Sequence, residues 1–438
     1  MRRAVILAVV ATLGVGLLAG CSEDSDEPTA STSSAGGGDA KGKTKLTVGV
    51  FGAFGLKEAG LYDEYMQLNK NIVIEQTSIE RNENYYPPLL QHLATGTGLA
   101  DIQAVEVDNI SEITSTQSAK LADLGKVEGV QKDAFLDWKW SQATTKDGKT
   151  VGLGTDIGPQ GICYRKDLFA AAGLPTDREK VGALWAGDWN KYLAVGKQYK
   201  AKNKSKAAFV DSAGGVLRSA TGSNAARYYD KDGKVIYKTN PALKEAWELG
   251  ASFAKEGLTS KLQQFTPGWN SGFANSAFAT ISCPSWMLGY IQEKAGPAGK
   301  DKWDIAPAPK PSAWGGAFLT VPEAGKNVEE AKKLVAWLTA PEQQAKFFAK
   351  RGSFPSAKST YSLPEVSGAK HEYFANAPIG QIFSKAAQGI PVQVIGPKDL
   401  IIAQTLSDIG MLQVDQKGKT SKQGWDAAVK AIDNALDQ

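Results

Sequence analysis

The chain has 438 residues, 42% of them apolar and 22% charged, a mixture typical of globular proteins and long enough for two or three domains. This composition excludes wholesale disorder and a polytopic membrane protein. The net charge of +4 is not concentrated in any Lys/Arg-rich block, so nucleic-acid binding is not expected. With only 2 His and 3 Cys, the chain has too few of these residues to favour a zinc site or a Cys/His nucleophile.

The first twenty residues predict export. Arg2 and Arg3 precede an uncharged apolar run over residues 4–18, which is too short to span a bilayer and indicates a signal peptide. The run ends in Leu-Ala-Gly before Cys21, a pattern that resembles the bacterial lipobox, so Cys21 is the predicted lipidation site. An ordinary secretory signal with an incidental cysteine is the alternative. Residues 21–44, rich in Ser, Gly, Asp and Glu, predict a flexible tether.

The body alternates between strand and helix patterns. Apolar and β-branched runs predict strands at 45–50, 72–74, 101–107, 161–165, 207–210, 278–283 and 317–321. Apolar residues at helical spacing predict helices at 58–68, after Pro87-Pro88, and at 109–116, 241–255, 328–339, 341–350, 398–412 and 422–436. This order favours mostly parallel, helix-covered sheets in two α/β lobes, with a ligand cleft at the carboxyl ends of the strands.

Catalytic motifs are not found. Residues 147–150 resemble the end of a phosphate loop, but the preceding glycine is missing and a hairpin turn is the better interpretation. There is no H-E-x-x-H and no G-x-S-x-G, and His92 and His371 are interpreted as structural or solvent-facing. A carboxylate pair for glycoside hydrolysis stays open, because any two acids could meet in the fold.

The tryptophans divide into two groups. Trp247 and Trp425 lie on apolar helical stripes and are predicted core residues. Trp269, Trp286 and Trp314 lie in turns or at strand ends, where binding residues concentrate, although packing beneath the lobes is the alternative. An aromatic plate suits the C–H face of a sugar ring.

Three segments carry a family resemblance: 151–169, which ends in Tyr-Arg-Lys-Asp-Leu-Phe; 278–289, which contains Cys-Pro-Ser-Trp; and Gly-Ser-Phe-Pro-Ser at 352–356. They resemble the sugar-binding (family 1) extracellular solute-binding proteins of bacterial ABC importers. The resemblance covers residues 45–438 and is closest to actinobacterial cellobiose and cello-oligosaccharide-binding lipoproteins.

The resemblance implies an α/β, two-lobe, periplasmic-binding-protein-like fold (type II), whose discontinuous lobes are joined by a multi-strand hinge. The expected division is signal peptide 1–20, tether 21–44, an N-terminal lobe of 45–155 and 316–356, and a C-terminal lobe of 156–315 and 357–438. Such lobes close on a ligand that contacts both of them.

The implied ligand-binding residues are Phe51, Phe54, Arg81, Tyr85, Glu106, Asp156, Trp269, Ser285, Trp286, Trp314 and Arg351. For Arg81 and Glu106 a surface ion, for Tyr85 helix packing, and for Arg351 pairing with a helix end are the alternatives. Cys163 and Cys283 fall in strands expected to be neighbours, so a disulfide and two buried thiols both stay open.

The implied function is non-enzymatic. The chain is expected to be a monomeric, lipid-anchored receptor on the outer face of the cytoplasmic membrane, which captures a β-linked oligosaccharide, cellobiose or cellotriose, and delivers it to an ABC permease with a cytoplasmic ATPase. No cofactor, metal or nucleic acid is expected. Xylobiose or chitobiose as the ligand, a glycosidase and a sugar-sensing receptor subunit are the alternatives.

Overall fold

The computed structural model describes residues 42–437. The predicted signal peptide, the lipidation site Cys21 and nearly all of the tether lie outside the described residues. Among the helices that are described, none is both long enough and apolar enough to cross a membrane.

Two larger sheets and one small sheet organise the described residues. The strands are β1 (Thr44–Phe51), β2 (Ile72–Ile79), β3 (Ile102–Glu106), β4 (Leu153–Gly154), β5 (Asp156–Ile157), β6 (Gln160–Arg165), β7 (Ala208–Val210), β8 (Phe278–Pro284), β9 (Trp303–Pro307), β10 (Ala317–Thr320) and β11 (Phe354–Pro355). The five-stranded sheet has the order β2-β1-β3-β10-β4, and the four-stranded sheet has the order β7-β8-β6-β9. We call these sheets, with the helices packed on them, the first and second lobes.

Helices cover both sheets. They are α1 (Leu61–Leu68), α2 (Asn82–Thr95), α3 (Val107–Glu112), α4 (Asp137–Gln142), α5 (Lys166–Ala171), α6 (Arg178–Ala183), α7 (Trp189–Lys202), α8 (Ala213–Thr221), α9 (Pro241–Lys255), α10 (Pro267–Ala274), α11 (Met287–Ala295), α12 (Val328–Leu338), α13 (Pro341–Arg351), α14 (Pro364–Ser367), α15 (Ile379–Gly389), α16 (Asp399–Gln404), α17 (Leu412–Lys417) and α18 (Ser421–Leu436). A π-helical segment, Thr405–Met411, joins α16 to α17.

The prediction of mostly parallel sheets holds for strand direction, because all strands but one in each larger sheet run the same way. It does not hold for the pairings, because the reversed strand has two neighbours and antiparallel pairs outnumber parallel ones. β10 runs antiparallel to both of its neighbours in the first lobe, and β6 does so in the second lobe. Each reversed strand is the first that the chain enters after it crosses from the other lobe. The parallel strands therefore keep their carboxyl ends at one edge of each sheet, where ligands bind in folds of this kind.

Three stretches connect the lobes. The chain leaves the first lobe through β5 and returns to it through residues 308–316. It leaves the first lobe again through β11, which pairs with β5 outside the two larger sheets. Asp156, the predicted crossing point, lies in β5. The domain boundaries given above stay a prediction.

Helix α2 differs from the sequence prediction. Helix α2 begins at Asn82 and carries Pro87 and Pro88 inside it, although prolines usually start a helix. Tyr85, Tyr86, Leu89 and Leu93 are buried in one apolar cluster, and we infer that this burial offsets the two missing backbone hydrogen bonds.

The second lobe contains the disulfide that the sequence left open. Cys163 of β6 and Cys283 of β8 are bonded, with their Cα atoms 5.3 Å apart and both side chains fully buried. The strands are antiparallel neighbours in which Cys163 is opposite Ile281 and Cys283 is opposite Gly161. The bond therefore runs diagonally across the pair.

Candidate functional site

A cavity lies between the two lobes. Its empty volume, counted out to its open mouth, is about 1140 Å³, whereas small-molecule pockets usually have roughly 300–1,000 Å³. Its aromatic wall residues are Phe51, Phe54, Phe265, Trp286, Tyr290, Trp314 and Phe347. Its polar wall residues are Glu80, Arg81, Asn82, Glu83, Glu106, Asp156, Arg218, Gln264, Ser353, Gln404, Ser407 and Asp408.

Strand ends position much of this wall. Phe51 is the last residue of β1, Glu80 follows β2, and Glu106 ends β3. Because these strands are parallel, their carboxyl ends meet at one edge of the first sheet. From the second lobe, Trp286 follows β8 at the start of α11. The strand-end argument therefore predicts the location of the cavity correctly.

Two tryptophans form a rigid corner of the wall. The Trp286 and Trp314 rings meet edge to face, with centroids 5.8 Å apart, and the Trp286 indole N–H donates to the Trp314 carbonyl oxygen at 2.8 Å. Gly315 follows with φ +77°, and a Cβ there would lie 2.9 Å from Trp286 Nε1. Phe265, whose ring centroid is 6.3 Å from that of each tryptophan, has a φ of +60°, rare for a bulky residue. Strained backbone of this kind clusters at functional sites.

Among the predicted binding residues, the structure brings together on the cavity wall Phe51, Phe54, Arg81, Glu106, Asp156, Trp286 and Trp314. Asp156 is buried, and its Oδ1 accepts hydrogen bonds from the Ala317 backbone N–H at 2.9 Å and from Thr155 Oγ1 at 2.7 Å. Burial raises the pKa of Asp156, and the positive charge of Lys139 opposes the shift.

Trp269 and Ser285 do not line the cavity, which corrects the sequence prediction. Trp269 lies in α10 rather than in a turn, is fully buried, and donates its indole N–H to Asp211 at 2.8 Å. Ser285 is also fully buried, and its Oγ accepts the Phe354 N–H at 3.1 Å and contacts the Ile157 carbonyl oxygen at 3.3 Å. It thus holds the hinge strands together and does not cap α11.

Tyr85 and Arg351 are also off the cavity wall. The Tyr85 hydroxyl is buried against β1 and β3 and donates to Gln103 Oε1 at 2.6 Å. The Arg351 guanidinium, at the end of α13, packs against Gly289 and lies 3.9 Å from Glu293. For Tyr85 this packing is the alternative that the sequence left open, whereas Arg351 contacts the middle of α11 rather than a helix end.

Contacts between the lobes close one side of the cavity. We call this set the rim clasp; it consists of Glu80, Arg81 and Glu83 from the first lobe and Gln264, Tyr290, Gln404 and Asp408 from the second. Arg81 Nη2 donates to Asp408 at 2.7 Å, Nη1 donates to the Gln264 carbonyl oxygen at 2.9 Å, and Nε donates to Glu83. Because each of its nitrogens already has a protein partner, Arg81 is part of the wall but is poorly suited to bind a ligand hydroxyl.

A buried charge cluster joins the lobes on another side. Asp108, just after β3, accepts hydrogen bonds from Arg218 and, at 3.0 Å, from Arg227, which also donates to Asp399 at 2.7 Å. Burial by itself would raise the pKa of Asp108, but the two guanidinium groups hold it below its usual value. Burial, assisted by the charge of Asp108, raises the pKa of Glu106 to about 8 and that of Asp399 to about 7.

Sequence reasoning missed several wall residues. Arg218 on α8 and Tyr290 on α11 follow second-lobe strands closely enough for the strand-end argument to have included them, whereas Phe265, just before α10, follows no strand closely. Gln404 and Asp408 gave no such signal, because they lie on the α16 and π-helical segment far from any strand. Within residues 42–437 there is no cluster of His, Cys, Asp and Glu that could hold a metal ion.

Comparison with known proteins identifies the family. A profile of the bacterial extracellular solute-binding proteins matches residues 60–375. The arabinooligosaccharide-binding protein of Bacillus subtilis (strain 168) is 25% identical over 359 residues, 76% of this chain and 79% of that protein.

Solved structures agree with this assignment. The crystal structure of a family 1 extracellular solute-binding protein is 40% identical, with a TM-score of 0.74 over 89% of this chain and 99% of that one. The ABC-transporter-associated binding protein of B. animalis subsp. lactis Bl-04, in complex with β-1,6-galactobiose, is 18% identical and shares the fold, with a TM-score of 0.76 over 89% of this chain and 97% of that one. The chain therefore belongs to the extracellular solute-binding proteins of bacterial ABC transporters, two-lobe proteins that bind a solute and are not enzymes.

Proposed function

We propose that this protein captures an oligosaccharide between its lobes and delivers it to an ABC permease driven by a cytoplasmic ATPase. The observation that carries the proposal is the cavity wall, which combines aromatic rings from both lobes with carboxylate, amide and guanidinium groups. A sugar presents apolar C–H faces and a rim of hydroxyls, which such a wall complements. A ligand that contacts both lobes stabilises their closed arrangement.

We further propose a β-linked gluco-oligosaccharide, cellobiose or cellotriose, as the ligand. The sugar class is supported by relatives that bind an arabinooligosaccharide and β-1,6-galactobiose. Cellobiose rests on the resemblance of the segments around Asp156 and Trp286 to those of cello-oligosaccharide-binding lipoproteins. Xylobiose and chitobiose are the nearest alternatives, because proteins for these sugars share the same motifs.

Calorimetric titration of the mature domain with cellobiose, cellotriose, xylobiose, chitobiose and maltose tests the proposal. We expect the tightest binding for a β-1,4-linked glucose oligomer and at least tenfold weaker binding for α-linked maltose, about 1.4 kcal/mol. The sugar should be recovered uncleaved. If none of these five sugars binds, the proposed function is overturned. If xylobiose or chitobiose binds most tightly, that sugar replaces the proposed ligand.

We also propose a lipid anchor at Cys21 that holds the monomeric receptor on the outer face of the cytoplasmic membrane. A short apolar run before the cysteine and a polar tether after it support this proposal. The Cys21→Ala variant should be recovered in the medium, whereas the wild type should sediment with membranes after an alkaline wash. A signal-cleaved Cys21→Ala protein that still sediments would contradict the anchor.

A further inference from the structure

Arg218 has hydrogen-bonding capacity that the protein does not use. It lies on α8, lines the cavity, and its guanidinium is centred 5.4 Å from the Trp314 ring. Among the described residues only its Nη2 has a hydrogen-bond partner, which is Asp108. A guanidinium carries five N–H donors, so Nε and Nη1 still have donors to give. Nε and Nη1 have no partner in the described part of the chain and yet are not among the fully buried polar atoms, so both are accessible to solvent.

Glu106 presents a matching oxygen from the other lobe. Its Oε2 accepts the Asp108 backbone N–H at 2.7 Å, while its Oε1 has no hydrogen-bond partner among the described residues. Glu106 also lines the cavity. Asp108 thus holds both groups, Glu106 through its backbone N–H and Arg218 through its carboxylate. Arg218 and Glu106 therefore lie close together, one from each lobe.

We propose that Arg218 and Glu106 bind two neighbouring hydroxyls of one sugar ring, and that Asp108 is the residue that positions them. This inference rests on the proposed function and names a subsite within it. A hydroxyl both donates and accepts hydrogen bonds. It can therefore accept from Arg218, and it can bind to Glu106 whether that carboxyl group is ionised or protonated. Arg81 is less suited to this role, because each of its three nitrogens already has a protein partner in the rim clasp, whereas Nε and Nη1 of Arg218 have none among the described residues.

The ligand chemistry that fits this pair is an uncharged vicinal diol. A carboxylate on the sugar would be attracted by Arg218 but would meet the buried oxygens of Glu106 and Asp108. An ammonium group would meet the guanidinium groups of Arg218 and Arg227. Adjacent hydroxyls on a pyranose ring avoid both conflicts and bind to the donor and the acceptor together.

Titration of cellobiose into Arg218→Gln and Glu106→Gln variants tests the pair. Each variant should lose roughly 10- to 100-fold in affinity, the range for a hydrogen bond to a charged group. Arg227 still faces Asp108 in Arg218→Gln, so the buried carboxylate keeps one guanidinium partner. Arg178→Gln is the matched control, because Arg178 pairs with Asp304 away from the cavity wall and its loss should leave affinity within twofold.

A set of singly deoxygenated cellobioses separates direct contact from a structural effect. In the wild type, removal of the hydroxyl that Arg218 binds should weaken binding. In Arg218→Gln the same removal should cost little more, because that contact is already lost. Equal losses for every deoxy sugar in both proteins, or affinity within twofold of wild type in Arg218→Gln, would overturn this inference alone. Failure of the wild type to bind any sugar would overturn the proposed function, and this subsite with it.

Discussion

Tryptophan side chains have two different surroundings in this molecule. Trp247 is fully buried against Trp425, with ring centroids 5.3 Å apart, as their helical stripes predict. Trp269 is equally buried, although its neighbourhood in the sequence resembles a turn. Trp286 is partly buried and faces the cavity. Strand ends thus identify the right region, but not which side chain turns inward, because that depends on contacts with distant residues such as Asp211.

Replacement of Trp286 should weaken binding more than folding. Trp286→Ala removes a rigid aromatic plate from the cavity wall, and truncation of such a binding residue typically costs about 2–4 kcal/mol. We therefore expect at least a tenfold loss of cellobiose affinity by calorimetry, with a cooperative thermal transition retained.

Trp247→Ala is the control for that experiment. Its side chain is in the core, so we expect a loss of roughly 3–5 kcal/mol of unfolding free energy, with affinity nearly unchanged in the folded molecules. Unchanged affinity in Trp286→Ala, together with a lowered melting temperature, would show that Trp286 belongs to the core instead.

His371 should make stability depend on pH. Burial, assisted by the charge of Arg351, lowers the pKa of His371 to about 4 in the folded state, whereas the unfolded value is about 6.5. Between these values the unfolded chain binds more protons, so the unfolding free energy falls as the pH decreases from 6.5 to 4, by up to about 3 kcal/mol. Urea unfolding of wild type and His371→Phe at pH 7, 5.5 and 4.5 should give a difference that changes over this window. A constant difference would contradict the shift.

Helices are predicted better than strand directions. The sequence prediction of a helix over 241–255 coincides with α9, because Asn240 caps it, Pro241 starts it and its apolar stripe is regular. No local signal indicates that β6 and β10 are reversed, since pairing direction is decided by where the chain crosses between lobes. The wall residues on α16 and the π-helical segment could not be predicted from local sequence either, because their position depends on how this segment packs against the first lobe.

The disulfide should stabilise the pairing of β6 with β8. Cys163 and Cys283 are 120 residues apart in the sequence, and a crosslink that closes so long a loop removes much of the entropy of the unfolded chain. We expect the Cys163→Ala/Cys283→Ala double variant to lose about 2–5 kcal/mol of unfolding free energy in urea. Reductant should destabilise the wild type and leave the double variant unchanged. Two reactive thiols in denatured wild-type protein, besides an acylated Cys21, would show that the bond is absent.

Closure of the whole molecule depends on contacts that involve no ligand. The rim clasp and the buried cluster around Asp108 both join side chains of the first lobe to side chains of the second. Such contacts exist only when the lobes are together, so they bias the equilibrium toward the closed arrangement before any sugar contact is counted. Affinity is then the product of the intrinsic binding and the fraction of closed molecules.

Arg81→Met tests this division of roles. The variant keeps an unbranched side chain in the wall but removes the bonds from Arg81 to Asp408 and Gln264. Because the clasp is partly exposed, we expect a loss of about 0.5–1.5 kcal/mol, roughly 2- to 12-fold in affinity, by the same factor for cellobiose and cellotriose. Lys197→Met, which breaks an ion pair with Glu256 inside the second lobe, should leave both affinities unchanged. Solution scattering should show a larger radius of gyration for sugar-free Arg81→Met than for the wild type. Loss of affinity for one sugar only would mean that Arg81 binds that sugar directly, and that the clasp does not set the balance between the open and closed lobes.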